Sequence, residues 1–454
     1  MASAAPNRKS IEIFARWRRL TQSESAQDEV VREIGSGDGR SLLSISVSRQ
    51  GQTGNQSWTS PAAFKAIFNP EHDNGAIFDS IVAPAIPRVL QGGNCNFFAY
   101  GHTGSGKTHT ILGYNYDDEK ELGLTLAAAR QLFEAIHVLN EDNPAEEKLG
   151  IGFSLFEMRK KSAFDLLNRR VECHIREGAD GKVYIRGETE ILQGGKVRVC
   201  PIVKQPCWTY ESFRRELTQA LGRRAVGSST LHDQSSRTHA ILELEIICQS
   251  LVDARQAVIE RQSELVPVGK RATDVHLEEQ YKGLIARPEG GWAYNPDYKI
   301  NQERIDAAEA EKAVCEERVA AAEELVDKIL ESCASRCLGA KMVFVDLAGA
   351  EYQQEQESVR PQLAKQTPQE RQEGRQINTD LLALKEVMRA WSKNQQRIPF
   401  RSSALTMVLR EHFLSSEKGN SAMIVTVSPA REQYSATLNS LKYGSLVGVA
   451  GNTR

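Results

Sequence analysis

At 454 residues, the chain is long enough for one large α/β domain or for roughly two to three domains of ordinary size. Its 40% hydrophobic and 26% charged residues are the proportions of a protein with a substantial core. The formal net charge of −2 excludes a general electrostatic attraction to nucleic acid or to an anionic membrane. No window approaches about 18 uninterrupted apolar residues, and residues 1–10 lack the apolar core of a signal peptide. We therefore expect a soluble cytoplasmic protein that binds neither membranes nor nucleic acid.

Apolar or alternating segments predict the strands, and a longer apolar pattern predicts a helix over 124–135. In chain order the strand segments are 11–16, 41–48, 97–100, 150–155, 183–186, 240–248, 341–346 and 422–427. Several are apolar throughout, as strands buried on both faces are. The sequence therefore predicts the α/β class, with a central, mostly parallel, twisted sheet and helices on both faces.

Residues 250–340 interrupt this pattern. The stretch 250–286 is highly charged, and 287–298 contains residues typical of turns. The stretch 299–338 contains neither Gly nor Pro, which predicts a long helix. A heptad-like apolar seam runs along that helix and is interrupted only by Lys312. Its members are Ile305, Ala308, Cys315, Val319, Ala322, Val326, Ile329 and Cys333. Two alternatives remain open: the helix folds back on the domain or on a second helix of the insert, or it forms a coiled coil with a partner or a second copy.

A phosphate-binding loop is the most specific motif of the chain. The segment 101–108 reads GHTGSGKT and follows an apolar strand. It matches GxxxxGK[ST], whose glycines let backbone N–H groups converge on phosphates. The expected contacts come from Gly101, His102, Thr103, Gly104, Ser105, Gly106, Lys107 and Thr108. Lys107 supplies a positive charge to the β and γ phosphates, and the Thr108 hydroxyl is placed for Mg²⁺.

Two further segments have the chemistry to complete a triphosphate site. The strand 341–346 ends in Asp346, a candidate metal-side carboxylate, and Gly349 follows it to offer an N–H to the terminal phosphate. Farther upstream, Ser235, Ser236 and Arg237 precede the strand 240–248 and provide two hydroxyls and a cation. The guanine-reading motif NKxD is absent, which favours ATP over GTP.

These segments together resemble the kinesin motor domain. The family's phosphate loop is close to AYGQTGSGKTxTM, its first switch to NxxSSRSH and its second to DLAGSE. The corresponding segments here are AYGHTGSGKTHTI (99–111), HDQSSRTH (232–239) and DLAGAE (346–351). Five other stretches resemble the family in the same order. The first, FARWRR (14–19), stands where the family has an adenine-contacting RxRP segment. The others are FSLFEMRKKSAFDLL (153–167), EGRQINTDLLAL (373–384), IPFRSSALTMVL (398–409) and SATLNSLKYGS (435–445). Only the insert lies outside the resemblance.

The resemblance implies a role for each matching residue, with ATP and Mg²⁺ as cofactors. Residues bordering the adenine would be Arg16, Arg18 and His109, and 104–108 would hold the phosphates. Thr108 and Ser236 would ligate Mg²⁺, and Asp346 would hold it through water. Ser235 would position the lytic water, Gly349 would sense the γ phosphate, and an ion pair between Arg237 and Glu351 would close the two switches.

The implied division is a flexible segment 1–10, a motor core over 11–249 and 341–449, the insert 250–340, and a truncated neck linker beginning at 450–454. The implied partner is the microtubule, and the implied location is the cytoskeleton. The expected track-binding face departs from the family, because Ser402, Ala404 and Met407 replace Asp, Lys and Arg, and Asp380 replaces Ser. Arg375, Lys385, Arg389, Lys393, Arg397, Arg401 and Arg410 are the candidate compensating cations.

Two functions follow from these features. The first is an ATP-dependent microtubule motor in which Mg-ATP hydrolysis moves the switch loops. The alternative is a nucleotide-binding, kinesin-like interaction protein with weak or no motility, whose insert recruits a partner.

Overall fold

The structure is a computed structural model, and it describes most of the chain. The described residues are 11–22, 24, 29–34, 42–51, 54–116, 118, 120–141, 147–178, 180–225, 237–287, 289–332, 335–350, 368–415 and 419–452. The predicted flexible segment 1–10 lies outside them. Within the described ranges, no helix combines the length and the hydropathy needed to cross a bilayer.

Seventeen strands are formed by the described residues. They are β1 (Ile11–Trp17), β2 (Glu29–Ile34), β3 (Leu43–Gly51), β4 (Gly54–Thr59), β5 (Ala66–Phe68), β6 (Cys95–Tyr100), β7 (Leu149–Arg159), β8 (Ser162–Asp165), β9 (Val171–Glu177), β10 (Val183–Ile191), β11 (Val197–Pro201), β12 (Gln205–Cys207), β13 (His239–Cys248), β14 (Leu284–Ala286), β15 (Trp292–Tyr294), β16 (Lys341–Asp346) and β17 (Ser421–Val427).

The α-helices cover both faces of the main sheet and build the insert. They are α1 (Asn74–Ile81), α2 (Ile86–Leu90), α3 (Lys107–Ile111), α4 (Leu124–Leu139), α5 (Tyr210–Ala225), α6 (Gln249–Lys282), α7 (Gln302–Ser332), α8 (Pro368–Ser392), α9 (Ala404–Leu414) and α10 (Tyr434–Asn452).

The main sheet has the strand order β11-β10-β9-β8-β7-β13-β16-β6-β17-β1-β5, with β12 paired to β7. The prediction of an α/β sheet is confirmed, but the sheet is mixed rather than mostly parallel. Its parallel pairs join β16, β6, β17, β1 and β5, whereas the pairs from β11 to β16 are antiparallel. Short connections such as those between β7, β8, β9, β10 and β11 permit only antiparallel neighbours, which the apolar patterns alone do not reveal.

Two apolar layers enclose this sheet, because successive side chains of each strand point to opposite faces. In β6, Phe97 stacks on Phe344 with ring centroids 5.1 Å apart, in the layer that includes α4 and α5. The next residue, Phe98, stacks on Phe413 of α9 at 5.7 Å, in the layer that includes α8, α9 and α10. The central strands are therefore buried on both faces, and the polar ends of those strands are the places where a site can form.

The insert is a pair of antiparallel helices. The stretch 250–286, for which the sequence predicted no helix, is largely α6, and this helix continues through Pro267. The predicted helix 299–338 is confirmed as α7 with narrower bounds. Every described member of the apolar seam is buried or half-buried, whereas most of the other α7 positions are exposed. Ion pairs such as Arg304–Glu279 at 2.8 Å and Arg271–Glu311 at 2.9 Å join α7 to α6. The seam therefore packs on a second helix of the insert, the first of the two alternatives.

Among the described residues, contacts with the main sheet and its apolar layers come from the half of this helix pair nearest the sheet. Val326, Ile329 and Leu330 of α7 pack against the core cluster, and Lys196 pairs with Glu264 of α6 at 2.8 Å. Beyond Glu264, α6 continues for 18 residues, or about 27 Å at the α-helical rise. The distal half is therefore held by contacts within the insert.

The separation of these two halves leads to a test by truncation. We expect replacement of residues 266–319 by a short glycine-rich turn to leave the thermal midpoint of unfolding within about 3 °C of that of the intact chain. The described contacts of that segment lie within the insert, and Gln262 and Glu323 bring the cut ends together at 3.4 Å.

Removal of residues 250–339 is the matched comparison. It deletes Leu251, Val326 and Ile329 from the core contacts and leaves Glu245 without Arg255. We expect this variant to lose several degrees in the same measurement, since it exposes apolar surface and breaks a buried ion pair. Equal midpoints for the two deletions would contradict the division of the insert at Glu264.

Candidate nucleotide-binding site

The phosphate-loop segment connects β6 to α3 at the carboxyl end of the parallel strands. Gly104 and Gly106 adopt φ values of 77° and 99°, a left-handed region in which glycine has no steric cost. Gly106 is the residue that precedes the first turn of α3, so the loop ends with helix N–H groups facing the same space. Gly101 has no room for a Cβ because Thr426 and the Ser105 side chain approach it closely. The Ser105 hydroxyl is anchored to Thr426 Oγ1 at 2.8 Å.

Lys107 is the buried cation of this loop. Its Nζ donates to the carbonyl oxygens of Gly101 and His102 at 3.1 and 2.9 Å, so its side chain lies beneath the loop. Burial lowers the pKa of Lys107 to about 8, and the nearby Asp346 opposes that shift. A bound polyphosphate would act in the same direction as Asp346 and favour the charged ammonium.

Asp346, at the end of β16, is the point where several elements meet. Its Oδ2 accepts from the Thr108 hydroxyl at 2.8 Å and from Arg224 of α5 at 3.1 Å. Arg224 also donates to Glu157 Oε1 at 2.7 Å, and Thr238 donates to the same oxygen at 2.9 Å. Burial would lower the pKa of Arg224, but Asp346 and Glu157 outweigh it and raise that pKa, so Arg224 remains a guanidinium cation.

The donor set around Asp346 fits Mg²⁺. Among the described residues, Asp346 Oδ1 is a buried oxygen without a hydrogen-bond partner. The Thr108 hydroxyl lies beside the same carboxylate, and hydroxyl, carboxylate and phosphate oxygens are the ligands that Mg²⁺ prefers. Ser236, the other predicted ligand, lies outside the described residues.

The chain that follows Asp346 runs along the phosphate loop. Ala350 N donates to Gly101 O at 3.1 Å, and a Cβ at Gly349 would overlap the side chain of Thr103. The backbone N–H of Ala348 donates to His239 Nδ1 at 3.0 Å. Burial, and next to it the charge of Lys107, lower the pKa of His239 to about 3, so this ring accepts as a neutral imidazole. Gly349 can therefore reach the loop only because it has no side chain.

A cavity of about 190 Å³ adjoins the loop on the side predicted to hold the base. Arg16, Arg18, His109, Ser105 and Gly106 are among its lining residues.

Several of the charged side chains that line this cavity already have hydrogen-bond partners within the chain. The Arg16 guanidinium donates to Asn74 at 2.6 Å and to Thr110 at 2.7 Å, and burial lowers its pKa to about 10. Arg18 pairs with Glu24 at 2.5 Å, and His109 with Glu121 at 2.8 Å. A base in this cavity would therefore meet mainly the faces of these side chains.

Parts of both switches lie outside the described residues, namely Ser235, Ser236 and Glu351. The predicted ion pair between Arg237 and Glu351 therefore remains a prediction. Arg237 itself lies 3.9 Å from Glu373 of α8, which also accepts from Arg159 at 2.5 Å. The remaining predicted loop residue, His102, faces Gln433 at 2.9 Å, and burial lowers its pKa to about 4.

The kinesin motor domain family model matches residues 16–268 and 320–448, which is most of the chain. The chain belongs to the kinesin family. The unmatched residues 269–319 form the distal half of the helical insert, so the family match continues into α6 and resumes in α7. The motor fold predicted from the motifs is confirmed.

Individual kinesins are similar to this chain over most of its length. Kinesin-like protein KIN-13A of Oryza sativa subsp. japonica is 28% identical over 387 residues, covering 85% of this chain and 34% of that protein. Human kinesin-like protein KIF24 is 25% identical over 385 residues, covering 85% of this chain and 20% of that protein. The chain thus spans about a third and a fifth of the length of these relatives.

Solved kinesin structures have the same fold. The motor and motor homology domain of Kar3Vik1 superimposes with a TM-score of 0.59 at 19% identity, covering 96% of this chain and 84% of that one. The structure of a fast kinesin has a TM-score of 0.58 at 20% identity, covering 96% of this chain and 91% of that one.

Arg224 and Glu157 are site residues that the sequence reasoning missed. Glu157 is a charged residue inside the otherwise apolar stretch of β7, and it is 2% exposed. A buried carboxylate requires a partner, so this interruption of the apolar pattern was an available signal. Nothing in the spacing of the sequence connects it with Arg224, which lies 67 residues away.

α8, α9 and the segment between them hold the candidate compensating cations. Arg401 donates to Glu177 of β9 at 2.7 and 2.9 Å, and Arg410 lies 3.3 Å from the same carboxylate. Arg389 pairs with Glu386 at 3.1 Å on its own helix. In contrast, Arg375, Lys393 and Arg397 are exposed, and no ion pair of theirs is found among the described residues. Because several of these cations are paired with carboxylates, the net positive charge of this face is smaller than a count of its basic residues indicates.

Asp380 of α8 leads to a test of stability against pH. It is buried, accepts from Gln376 at 3.1 Å, and burial raises its pKa to about 6 despite bonds from Gln376 and Ser403. Because the folded-state pKa lies above the unfolded-state value, stability falls as the pH rises from about 4 through 6.

We expect Asp380→Asn to raise the free energy of unfolding at pH 7.5 by roughly 1–3 kcal/mol, and to have little effect at pH 4. Urea unfolding at the two pH values measures the difference. Asp327→Asn, at an exposed position of α7, is the control and should be neutral at both. Destabilisation by Asp380→Asn at pH 7.5 would show that the carboxylate is favourable there.

Proposed function

We propose that this chain is the motor domain of an ATP-dependent microtubule motor that hydrolyses Mg-ATP. The observation that carries the proposal is the hydrogen bond between the Thr108 hydroxyl and Asp346, 2.8 Å long, next to the buried Lys107 of the phosphate loop. It joins the phosphate-binding helix to the strand that leads into the second switch. Kinesin motor domains are ATPases in general, and membership of that family supports the same reaction here.

The chain's own groups would bind and orient the triphosphate. N–H groups of 104–108 and the start of α3 would face the phosphates, and Lys107 would exchange its carbonyl partners for phosphate oxygens. Thr108 and Ser236 would hold Mg²⁺ directly, with Asp346 acting through water. Mg²⁺ neutralises charge on the phosphate oxygens when it is bound. Arg224, fixed between Glu157 and Asp346, would orient the Asp346 carboxylate.

The switches would respond to the terminal phosphate through three residues. Gly349 would donate its N–H to the γ phosphate, Ser235 would position the attacking water, and Arg237 would pair with Glu351. The position of Gly349 against Thr103 supports the first of these roles, because a phosphate in the loop would lie next to that peptide. Loss of the γ phosphate would release the two segments, as in other nucleotide switches.

The expected track is the microtubule, bound through α8, α9 and their connection. Arg375, Lys393 and Arg397 are exposed cations of this face and would meet an acidic surface. The microtubule-associated cytoskeleton is the corresponding location. A coiled-coil partner for α7 would require the apolar seam to leave α6, so we assign such pairing no part in this function.

A nucleotide-binding interaction protein with weak motility is the second candidate. The observation that favours it is the capture of Arg401 and Arg410 by Glu177, on a face that already has Ala404 and Met407 where the family has Lys and Arg. In that case the insert would recruit the partner.

Nucleotide binding is tested by Lys107→Ala. We expect at least a hundredfold loss of affinity for Mg-ATP, measured with a fluorescent ATP analogue, because the loop loses its buried cation. Lys148→Ala, at an exposed position outside the site, is the control and should bind as the unmodified chain does. Unchanged affinity in Lys107→Ala would contradict the assignment of the loop.

Motor function is tested by steady-state ATP hydrolysis with and without polymerised microtubules. We expect at least tenfold stimulation, equivalent to about 1.4 kcal/mol of barrier lowering. No stimulation would favour the interaction protein.

The role of Glu177 is tested by microtubule co-sedimentation. Glu177→Gln should tighten microtubule binding by about two- to fivefold at low salt, because it releases Arg401 and Arg410. Glu172→Gln, an exposed position on the same strand, removes the same charge elsewhere and should have less effect. Equal effects of the two variants would contradict a specific role for Glu177.

A further inference from the structure

A cleft of about 530 Å³ lies at the base of the insert. One wall is the first turns of α6, and the other is formed by β11 and the segment that leads to β12. It shares no lining residue with the cavity beside the phosphate loop. The size is that of a pocket for a small organic molecule.

The floor and one side of this cleft are apolar. Ile202 and Val203 line it from the segment after β11, Ile247 from the end of β13, and Val252 and Ile259 from α6. All five side chains are at least half-buried by the surrounding protein. These residues would contact the hydrocarbon or aromatic body of a ligand.

Three cations also line the cleft, and two of them are already neutralised. Lys204 donates to Glu243 at 2.7 Å and also bonds Glu245, and Arg255 donates to Glu245 at 2.7 and 3.0 Å. The pair of Arg255 with Glu245 fixes the α6 wall to β13, and Lys204 joins the segment before β12 to the same strand.

The third cation, Arg198, is not neutralised in this way. Its Nε is buried without a hydrogen-bond partner among the described residues, and no ion pair of Arg198 occurs within them. The neighbouring carboxylate, Glu190, also lines the cleft; it lies directly opposite Arg198 in the β10–β11 register and is exposed. A buried guanidinium N–H without a partner is costly, and an anion is the ligand that relieves that cost.

We propose that this cleft binds a small organic anion, with its apolar body against α6 and its carboxylate or phosphate group on Arg198. Carboxylate and phosphate groups each offer two oxygens that a guanidinium can bind through two parallel N–H···O bonds. The ligand would bridge β11 and α6 and so bind the motor core and the insert together.

The proposal is tested with 8-anilino-1-naphthalenesulfonate, a fluorescent organic anion, titrated into the full chain. Its uncharged analogue N-phenyl-1-naphthylamine reports the apolar contribution alone. Arg198→Gln removes the cation, and Gln256→Glu adds a carboxylate to the exposed rim of the cleft on α6. Gln280→Glu makes the same change at an exposed position on the distal part of α6 and is the matched control.

We expect Arg198→Gln and Gln256→Glu each to weaken binding of the anionic dye at least fivefold, with the neutral dye changed less than twofold. Glu190→Gln should strengthen binding of the anion, and Gln280→Glu should have no effect. Competition by 1-naphthoate and by 1-naphthyl phosphate, in separate arms, distinguishes a carboxylate from a phosphate ligand. Circular dichroism of each variant verifies the fold. Unchanged binding of the anionic dye by both Arg198→Gln and Gln256→Glu, or no displacement by either competitor, would overturn the proposal.

Discussion

The carboxylate of Asp346 is the constraint on which the site depends. It lies at the end of a strand that is buried on both faces, so its charge is paired by contacts brought from elsewhere in the chain. Thr108 reaches it from the phosphate-loop helix and Arg224 from α5. A buried charge without such partners would be strongly destabilising, and the fold therefore holds these elements together even before any ligand is considered.

The mixed topology of the sheet explains why the start of β13 and the end of β16 meet at this carboxylate. β13 and β16 are antiparallel neighbours, with Ala240 opposite Asp346. The residues just before β13 and those just after β16 consequently meet at one edge of the sheet, beside the carboxyl end of β6. The same pairing sends the opposite ends of β13 and β16 away from the nucleotide, and the insert extends from there. Changes in the insert can therefore be large without disturbing the phosphate loop.

Charge at the base of the insert is organised differently from charge around α9. At the base, Glu243 and Glu245 are buried and each accepts from more than one cation. Glu245 joins α6 to the core through Arg255, and the carboxylate of this ion pair is shielded from solvent. Beside α9, the pairs of Glu177 with Arg401 and Arg410 are closer to solvent, where salt screens them. An acidic partner could compete for the second set of cations much more readily than for the first.

The sequence by itself determined the nucleotide-binding segments and the family, because those depend on local chemistry. Gly104 and Gly106, followed by Lys107 and Thr108, form a local motif that indicates phosphate binding without information from the rest of the chain. The bounds of β6, β13, β16 and β17 follow from the apolar runs of those strands. The long α7 and its seam were likewise readable from periodicity.

Only the tertiary structure decided which distant residues complete these segments. Arg224 joins Glu157 to Asp346, although the three residues are far apart in the chain, and α6 forms from a highly charged stretch that packs on α7. The antiparallel half of the sheet was also hidden, because an apolar strand carries no record of its neighbour's direction. Local propensity is a property of a segment, whereas pairing and burial are properties of two segments at once, and the second kind of information appears only when the chain is folded.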